Sequence, residues 1–391
     1  MLLSYILKIK WHSGYFSYTR CLYEGDNCES KVCFPYCNNK SVERTHDMYV
    51  NMINEEHHVG KTTSKLTELP GIDLIRNFPL DYMHLVNLGI VKKLIQLWLF
   101  KGPLNVRLPG HSINTLSTAL LAIQSCISSD FVRKTRLVQE VSRWKATELR
   151  LFISYVDPIV LKDLISSDGY TNFISLHVAM LILLSSNHQN FLNYARELLE
   201  YFVKTFERIY GSKHCSYNVH ALLHICGDYD YYGPLDECSA FIFENYMKTL
   251  KSKIRKHVSY SEMYNKQQPT SLQCSTQNYK LSVPHKSGPL LENISLILSQ
   301  FKKFTTNNTT LNISNNSDCY ILNKSNDVFK CFNFVNTHDD NVSLSKNLTF
   351  LNSSEIDCKI MLLNHCNSSI ALPVIHTKSK INCLLYNKNK L

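Results

Sequence analysis

The stretch Phe78-Pro79-Leu80-Asp81-Tyr82-Met83-His84-Leu85, continued to Phe100, constrains the rest of this chain more than any other. Pro79 fixes its own φ and pushes Phe78 towards an extended conformation, so the chain enters here as a strand end or a turn. Asp81 stands at an N-cap position, ahead of Leu85, Leu88, Val91, Ile95 and Trp98 at helical spacing. Val86, Ile90, Leu94 and Leu97 make the other faces apolar too, which predicts a largely buried helix. Lys101-Gly102-Pro103 stops it. Asp81 and His84 are then two polar groups at the head of an apolar element. From spacing alone, Asp81 reads as a cap and His84 as a hydrogen-bonded core histidine.

With 391 residues, 44% hydrophobic and 11% aromatic, the chain has material for two or three folded domains. Its formal charge of +10 favours a polyanionic partner. No membrane span is expected: Leu85–Phe100 is broken by Lys92-Lys93, and Phe173–Leu184 is too short. The opening MLLSYILKIKWHSGYF lacks a basic lead and a small-residue cleavage site, so the thiols are expected in a reducing compartment. The 14 cysteines then predict no disulfide framework.

In chain order, Tyr5, Leu7 and Ile9 alternate with Ile6, Lys8 and Lys10 and predict a strand, with a turn at His12–Tyr15. Cys21, Cys28, Cys33 and Cys37 follow. Cys33-x3-Cys37 has ligand-pair spacing, so Cys21, Cys33 and Cys37 form a candidate zinc set, with Cys28 or His12 as a fourth ligand. Idle or buried thiols are the competing reading, because no C-x2-C pair is present. Gly60-Lys61-Thr62 lacks the upstream glycine of a phosphate-binding loop, and no nucleotide site is expected there. Ile72–Ile75 is a short strand candidate.

From Ile113 to Tyr210 the pattern is helical: Ile113–Ser125, Arg143–Ser154 with Trp144, Phe173–Leu184 and Phe191–Tyr210. Such a run of helices without strands suits an insertion inside another fold. His220 and His224 lie one helical turn apart, but Ala221 stands where a zinc-peptidase helix has Glu, so packing and hydrogen bonding are the favoured roles. Phe241–Lys256 forms a further helix, carrying Glu244 among Phe241, Phe243, Tyr246 and Met247. Burial of that carboxylate would need a partner. Its far end carries Lys248, Lys251, Lys253, Arg255 and Lys256. Residues 258–316 read as a polar linker with one helix at Leu290–Lys303. Alternating runs from Asp318 onward (CYIL, VFKCFNFV, IDCKIMLL, SIALPVI, INCLLY) predict a small β-rich domain over 317–391.

Four blocks, FPLDYMHLVNLGIVKKL, RWKATELRLFISY, YNVHALLH and YGPLDECSAFIFENYMKTLKSKIRK, occur in that order. Together they resemble animal transposase-domain proteins related to CACTA (EnSpm) DNA transposons, from about Tyr5 to His257. The resemblance implies an α/β, α-rich architecture: an RNase H-like core over 71–257 with a helical insertion at about 101–215, preceded by a strand and Cys-rich segment over 1–70. It implies three acidic residues holding Mg²⁺ or Mn²⁺ for DNA strand cleavage and joining. The second acid falls on Asp81, with His84 beside it in a D-x2-H motif, and the third on Glu244. DNA would lie along Lys248, Lys251, Lys253, Arg255 and Lys256, with Trp144 stacking on an unpaired base. The implied setting is the nucleus, and self-association is left open. Two departures accompany this. The first acid would fall upstream of the segment matching Ser4–Gly14, where only Met1, Leu2 and Leu3 stand. A C-x2-C pair usual in such proteins falls on Tyr18–Cys21, with Tyr18 replacing one ligand. Both imply a truncated or decayed copy with an incomplete core that does not cut DNA. The alternative is a DNA- or protein-binding factor that keeps the fold without the chemistry.

Overall fold

The central helix runs from Met83 to Lys101, with wide π-helical turns at both ends of an α-helical middle, Lys92–Gln96. It starts where the Asp81 carbonyl accepts from Leu85 N–H (2.9 Å) and ends where Gly102 N–H bonds Leu97 C=O (3.0 Å). Only glycine fits that end: a Cβ on Gly102 would lie 2.5 Å from the Leu97 oxygen. In this computed structural model the described residues are 2–39, 41–254, 279–287, 297–306, 310–315, 317–323, 328–337, 348–350, 358–364, 369–370 and 377–380. They divide into two units, Met1–Leu120 with Arg136–Lys266, and Leu121–Thr135 with Gln267–Leu391. Both helix and strand are present: helices dominate the first unit and an antiparallel sheet the second.

In the first unit the central helix is buried through Val86, Ile90, Val91, Leu94 and Trp98. Trp98 Nε1–H donates to the Tyr210 hydroxyl (3.0 Å), and its ring meets Phe173 at 5.4 Å. Phe173 in turn touches Phe152. These aromatics come from the helices Leu192–Tyr210 and Ser167–Leu183 and the segment Phe152–Val156. Truncating one such buried ring to alanine typically costs about 3–5 kcal/mol. Tyr217–Ala221 crosses the central helix closely, since a Cβ on Gly89 would lie 2.3 Å from Asn218 Nδ2. Ser166 caps Ser167–Leu183 through its hydroxyl, which accepts from Gly169 N–H.

Two strand expectations are corrected. Leu2–Ile6 is helical, not a strand, and Lys8 then turns at φ 50. Extended pairing survives only at Ile9 and His58, through Lys10 N–H to His57 C=O and Val59 N–H to Lys8 C=O. At Ile72–Ile75 the Asp73 carboxylate captures the N–H groups of Ile75 and Arg76, so a turn replaces the strand. Among the described residues of this unit the only sheet is the hairpin Asp26–Cys28 with Lys31–Cys33. The central sheet of an RNase H-type core is not among them.

The second unit shows why the polar stretch misleads. Within the expected linker, Tyr279–His285, Ile297–Thr306 and Thr310–Asn312 are strands, and the expected helix at Leu290–Lys303 is strand from Ile297 on. Residues 288–296 lie outside the described set. Gln300–Thr305 carries no clean apolar/polar alternation, and its strand is set by backbone pairing with a neighbouring strand on each side. The sheet runs Ser369–Ile370, Cys358–Asn364, Val328–Thr337, Ile297–Thr306, Tyr279–His285, antiparallel along this path. Phe301 pairs with Phe334, and Phe304 stacks on the same ring at 5.8 Å. Buried Asp318 accepts from Ser128 Oγ–H (2.8 Å) and Ser129 N–H (2.9 Å). The INCLLY run lies outside the described residues.

Candidate functional site

Asp81 gathers the starts of two helices. Its Oδ1 accepts from Met83 N–H (3.2 Å) and from Ala240 N–H (3.0 Å). Its Oδ2 accepts from His84 N–H (3.3 Å) and lies 2.5 Å from His84 Nδ1. One carboxylate therefore caps both the central helix and Ala240–Ile254, across 159 residues of sequence. The other ring nitrogen of His84 lies 3.8 Å from Glu244 Oε1. Asp81, His84 and Glu244 thus form a line with the imidazole between the carboxylates. A second contact set fixes the same helix start: Asp236 receives Tyr82 O–H (2.5 Å) and Arg150 (2.6 Å). The Arg150 guanidinium also lies over the rings of Tyr82 and Phe241.

The charges follow from this line. The hydrogen bond to Asp81 raises the His84 pKa above its ordinary 6.5, with burial opposing and the Glu244 charge adding. Burial alone would raise Asp81, but bonds from His84, Ala240 N–H and Met83 N–H outweigh it and hold the carboxyl below 3.8. The Glu244 side chain is 63% exposed, against 23% for Asp81. The apolar setting expected for Glu244 is not a buried one: Phe243, Tyr246 and Met247 beside it are also exposed, and the Tyr82–Phe241 contact lies at the first turn.

A pair of Mg²⁺ ions demands free carboxylate oxygens at short, near-octahedral distances. An ionised carboxylate has about four acceptor positions, and the helix caps and His84 take four bonds on Asp81. Glu244 is the one carboxylate of the pair left free to bind a cation. The arrangement does not fit a two-metal centre.

A second cluster lies deeper. His220 ends one turn of Tyr217–Ala221 and His224 follows a turn later, so both rings reach one side. Cys21, fixed by its backbone bridge to Glu43, faces them. Its Sγ is 3.5 Å from His220 Nε2, and donor atoms of Cys21, His220 and His224 lie within 4.8 Å of one another. Burial drives the pKa of His220 down to about 3 and of His224 to about 4, so both are neutral at pH 7. Burial likewise pushes the Cys21 thiol up. Tyr18 is fully buried beside them, edge-on to His220 at 4.6 Å, and its hydroxyl has no hydrogen-bond partner.

The expected trio of Cys21, Cys33 and Cys37 is not what assembles. Phe34 N–H bonds Cys215 C=O, which turns the hairpin so that Cys33 Sγ faces the Lys213 carbonyl (3.3 Å) with Cys28 close by. Cys37 is exposed, and His12 packs on Trp11 at 4.5 Å. His220 and His224 pack on the Tyr18 ring, and His220 meets the Cys21 thiol, in keeping with the packing and hydrogen-bonding role expected of them. Trp144 is also corrected: its ring is 3% exposed, donates to Leu137 C=O and meets Phe152, so it is core and closed to a base. Lys248 and Lys251 are exposed on Ala240–Ile254, whereas the Lys253 side chain, Arg255 and Lys256 lie outside the described residues.

One pair escaped the sequence reading. Arg20 donates to Asp228 Oδ1 (2.8 Å) and to Phe78 C=O (2.9 Å), while Asp228 Oδ2 accepts from Leu80 N–H (2.6 Å). It ties the chain next to Cys21 to the chain next to Asp81. No local pattern announces it, because its partners lie 208 residues apart. No family model, curated protein or solved structure matches this chain.

Proposed function

We propose that this chain is a transposase-derived, nuclear DNA-binding protein that holds the DNA backbone without cutting it. The observation that carries this reading is the saturated carboxylate of Asp81. The residue that the resemblance makes a metal ligand spends its oxygens on two helix caps and on His84. RNase H ancestry belongs to the same proposal and rests on the four sequence blocks. Binding is supported by the charge of +10 and by Lys248 and Lys251, exposed at i and i+3 on the helix that Asp81 anchors. These cations would meet phosphates, which are read by charge and carry no base specificity.

The test is the anisotropy of a labelled duplex titrated with the protein at increasing NaCl. Each neutralised phosphate adds about −0.9 to the log–log slope, so Lys248→Gln with Lys251→Gln should flatten it by up to about 1.8. An unchanged slope and affinity would remove this helix from the interface. In parallel, the parent chain should leave a supercoiled plasmid intact in Mg²⁺ or Mn²⁺. Nicking that vanishes in Glu244→Ala would favour the cleaving enzyme instead.

A further inference from the structure

We infer that the cavity beside Arg44 binds a nucleoside monophosphate group, its phosphate held by the guanidinium groups of Arg44 and Arg76. This goes beyond duplex binding and does not rest on it. The cavity measures about 690 Å³ and lies wholly within the first unit. Small-molecule sites run from roughly 300 to 1,000 Å³. Four arginines line it: Arg20, Arg44, Arg76 and Arg196. Two are neutralised, Arg20 by Asp228 and Arg196 by Asp230. Arg44 is not. It is only 7% exposed, yet it pairs with no carboxylate among the described residues. Its Nε–H donates to Tyr18 C=O (2.9 Å) and its Nη2–H to Asn54 Oδ1 (3.2 Å), both neutral acceptors. A guanidinium has five N–H donors, so the rest are unspent on a side chain that lines the cavity. A buried charge ordinarily has a counter-ion, because taking it from water unpaired is costly. Burial pulls the Arg44 pKa down to about 10, which still leaves a cation at neutral pH.

The cavity's own acids do not fill that place. Asp228 is taken by Arg20 and by Leu80 N–H (2.6 Å), and the Asp73 carboxylate by the N–H groups of Ile75 and Arg76. Glu43 and Asp47 are exposed, where water and salt weaken their opposition to an anion. A guanidinium fork matches the oxygens of a phosphate, and a phosphate has oxygens enough for a second arginine. Arg76, exposed on the cavity wall, is that second arginine. Inorganic phosphate alone would leave most of the volume empty. Tyr231, also exposed on the wall, offers a ring face for a base, and such stacking tolerates any base. A phosphate monoester on a nucleoside comes from a free nucleotide or from the 5′ end of a strand, and the chemistry recognised is the same.

The experiment is isothermal titration calorimetry on the full chain in phosphate-free buffer. The probes are AMP, adenosine, and two short oligonucleotides, one 5′-phosphorylated and one ending in a 5′-hydroxyl. AMP should saturate one site, and adenosine should bind at least about 10-fold more weakly, since the bonds to a charged phosphate are lost. The phosphorylated strand should likewise bind more tightly than the hydroxyl one. Arg76→Gln should weaken AMP several-fold. Arg44→Lys, which keeps the charge and loses the fork, should weaken it by about 10-fold. Asp47→Asn should tighten AMP, and weakening there would make the cavity a site for a cationic group instead. A phosphorylated strand that binds more tightly than AMP identifies the strand end as the source, and the reverse order identifies the free nucleotide; either supports the site. Equal affinity for AMP and adenosine, AMP binding unmoved by Arg76→Gln, or no heat from any phosphorylated probe in protein shown to be folded by circular dichroism would overturn it. Because Arg76 is exposed, its variant decides the location even if Arg44→Lys fails to fold.

Discussion

The line Asp81–His84–Glu244 and the cluster Cys21–His220–His224 are both built from residues far apart in sequence, and both centre on imidazoles. They differ in what their donor atoms already do. In the first, the carboxylate is taken up by helix caps and the histidine side chain is 59% exposed. In the second, Cys21 and His220 are buried, His220 Nε2 meets the Cys21 thiol, and His220 Nδ1 has no hydrogen-bond partner. The first group is consumed by the fold and the second is kept available by it. Resemblance to a catalytic motif is therefore a poor guide to where a cation can sit in this chain. Acceptor counting is a better one.

The strongest way to break the contrast is through the pair that joins the two clusters. Arg20 and Asp228 have side chains only 11% and 4% exposed, and Asp228 also holds Leu80 N–H. Removing one partner of a buried ion pair strands the other and costs about 3–5 kcal/mol. Asp228→Ala should lose that much in urea unfolding, whereas exposed Glu244→Ala should stay within about 0.5 kcal/mol. Comparable losses in the two variants would mean that Glu244 is as structural as Asp228.

A smaller effect sharpens the role of Asp81. Each lost N-cap costs about 1 kcal/mol, so Asp81→Ala should destabilise by about 2 kcal/mol. Amide exchange should speed up at the first turns of both Met83–Lys101 and Ala240–Ile254, the two helices it caps. Faster exchange at the central helix alone would remove the bond to Ala240 from the account.

The helices were legible because they follow local rules. Apolar spacing from Leu85 to Trp98, the capping position of Asp81 and the stop at Gly102-Pro103 predict Met83–Lys101 to within a few residues. The strand at Tyr5–Ile9 was misread because a period of two over so few residues cannot outweigh the turn at Lys8. The segment 258–316 reads as a linker because of its polar composition, whereas paired strands tolerate polar residues on one face. Asp81, His84 and Glu244 were found through motif matching, but spacing says nothing of saturation. Cys21, His220 and His224 were each noticed, yet their meeting is a tertiary fact, set by the approach of Tyr217–Ala221 to the chain around Tyr18.

The finest comparison is between the histidines themselves, and NMR titration of their ring protons reads it directly. His84 should titrate above 6.5, because protonation strengthens its bond to Asp81. His220 and His224 should titrate well below 6.5, near 3 and 4, because burial opposes their charge. The two clusters then respond to pH with opposite sign. A histidine with a raised folded pKa contributes stability that is complete below 6.5 and lost as pH rises through the folded value. One with a lowered folded pKa makes the protein less stable as pH falls below 6.5 towards that value. The Asp81 partner, depressed below 3.8, keeps its share of the contact above that pH and loses it only in stronger acid. The Asp81–His84 contact should thus be strongest between roughly pH 4 and 6.5. Asp81→Asn should bring the His84 midpoint down, since the bond to Asp81 is the leading cause of its rise. Glu244→Gln should lower it less, because that charge is the smallest contributor named and acts across 3.8 Å. A midpoint that responds more to Glu244→Gln than to Asp81→Asn would turn the line around and make Glu244 the principal partner of His84.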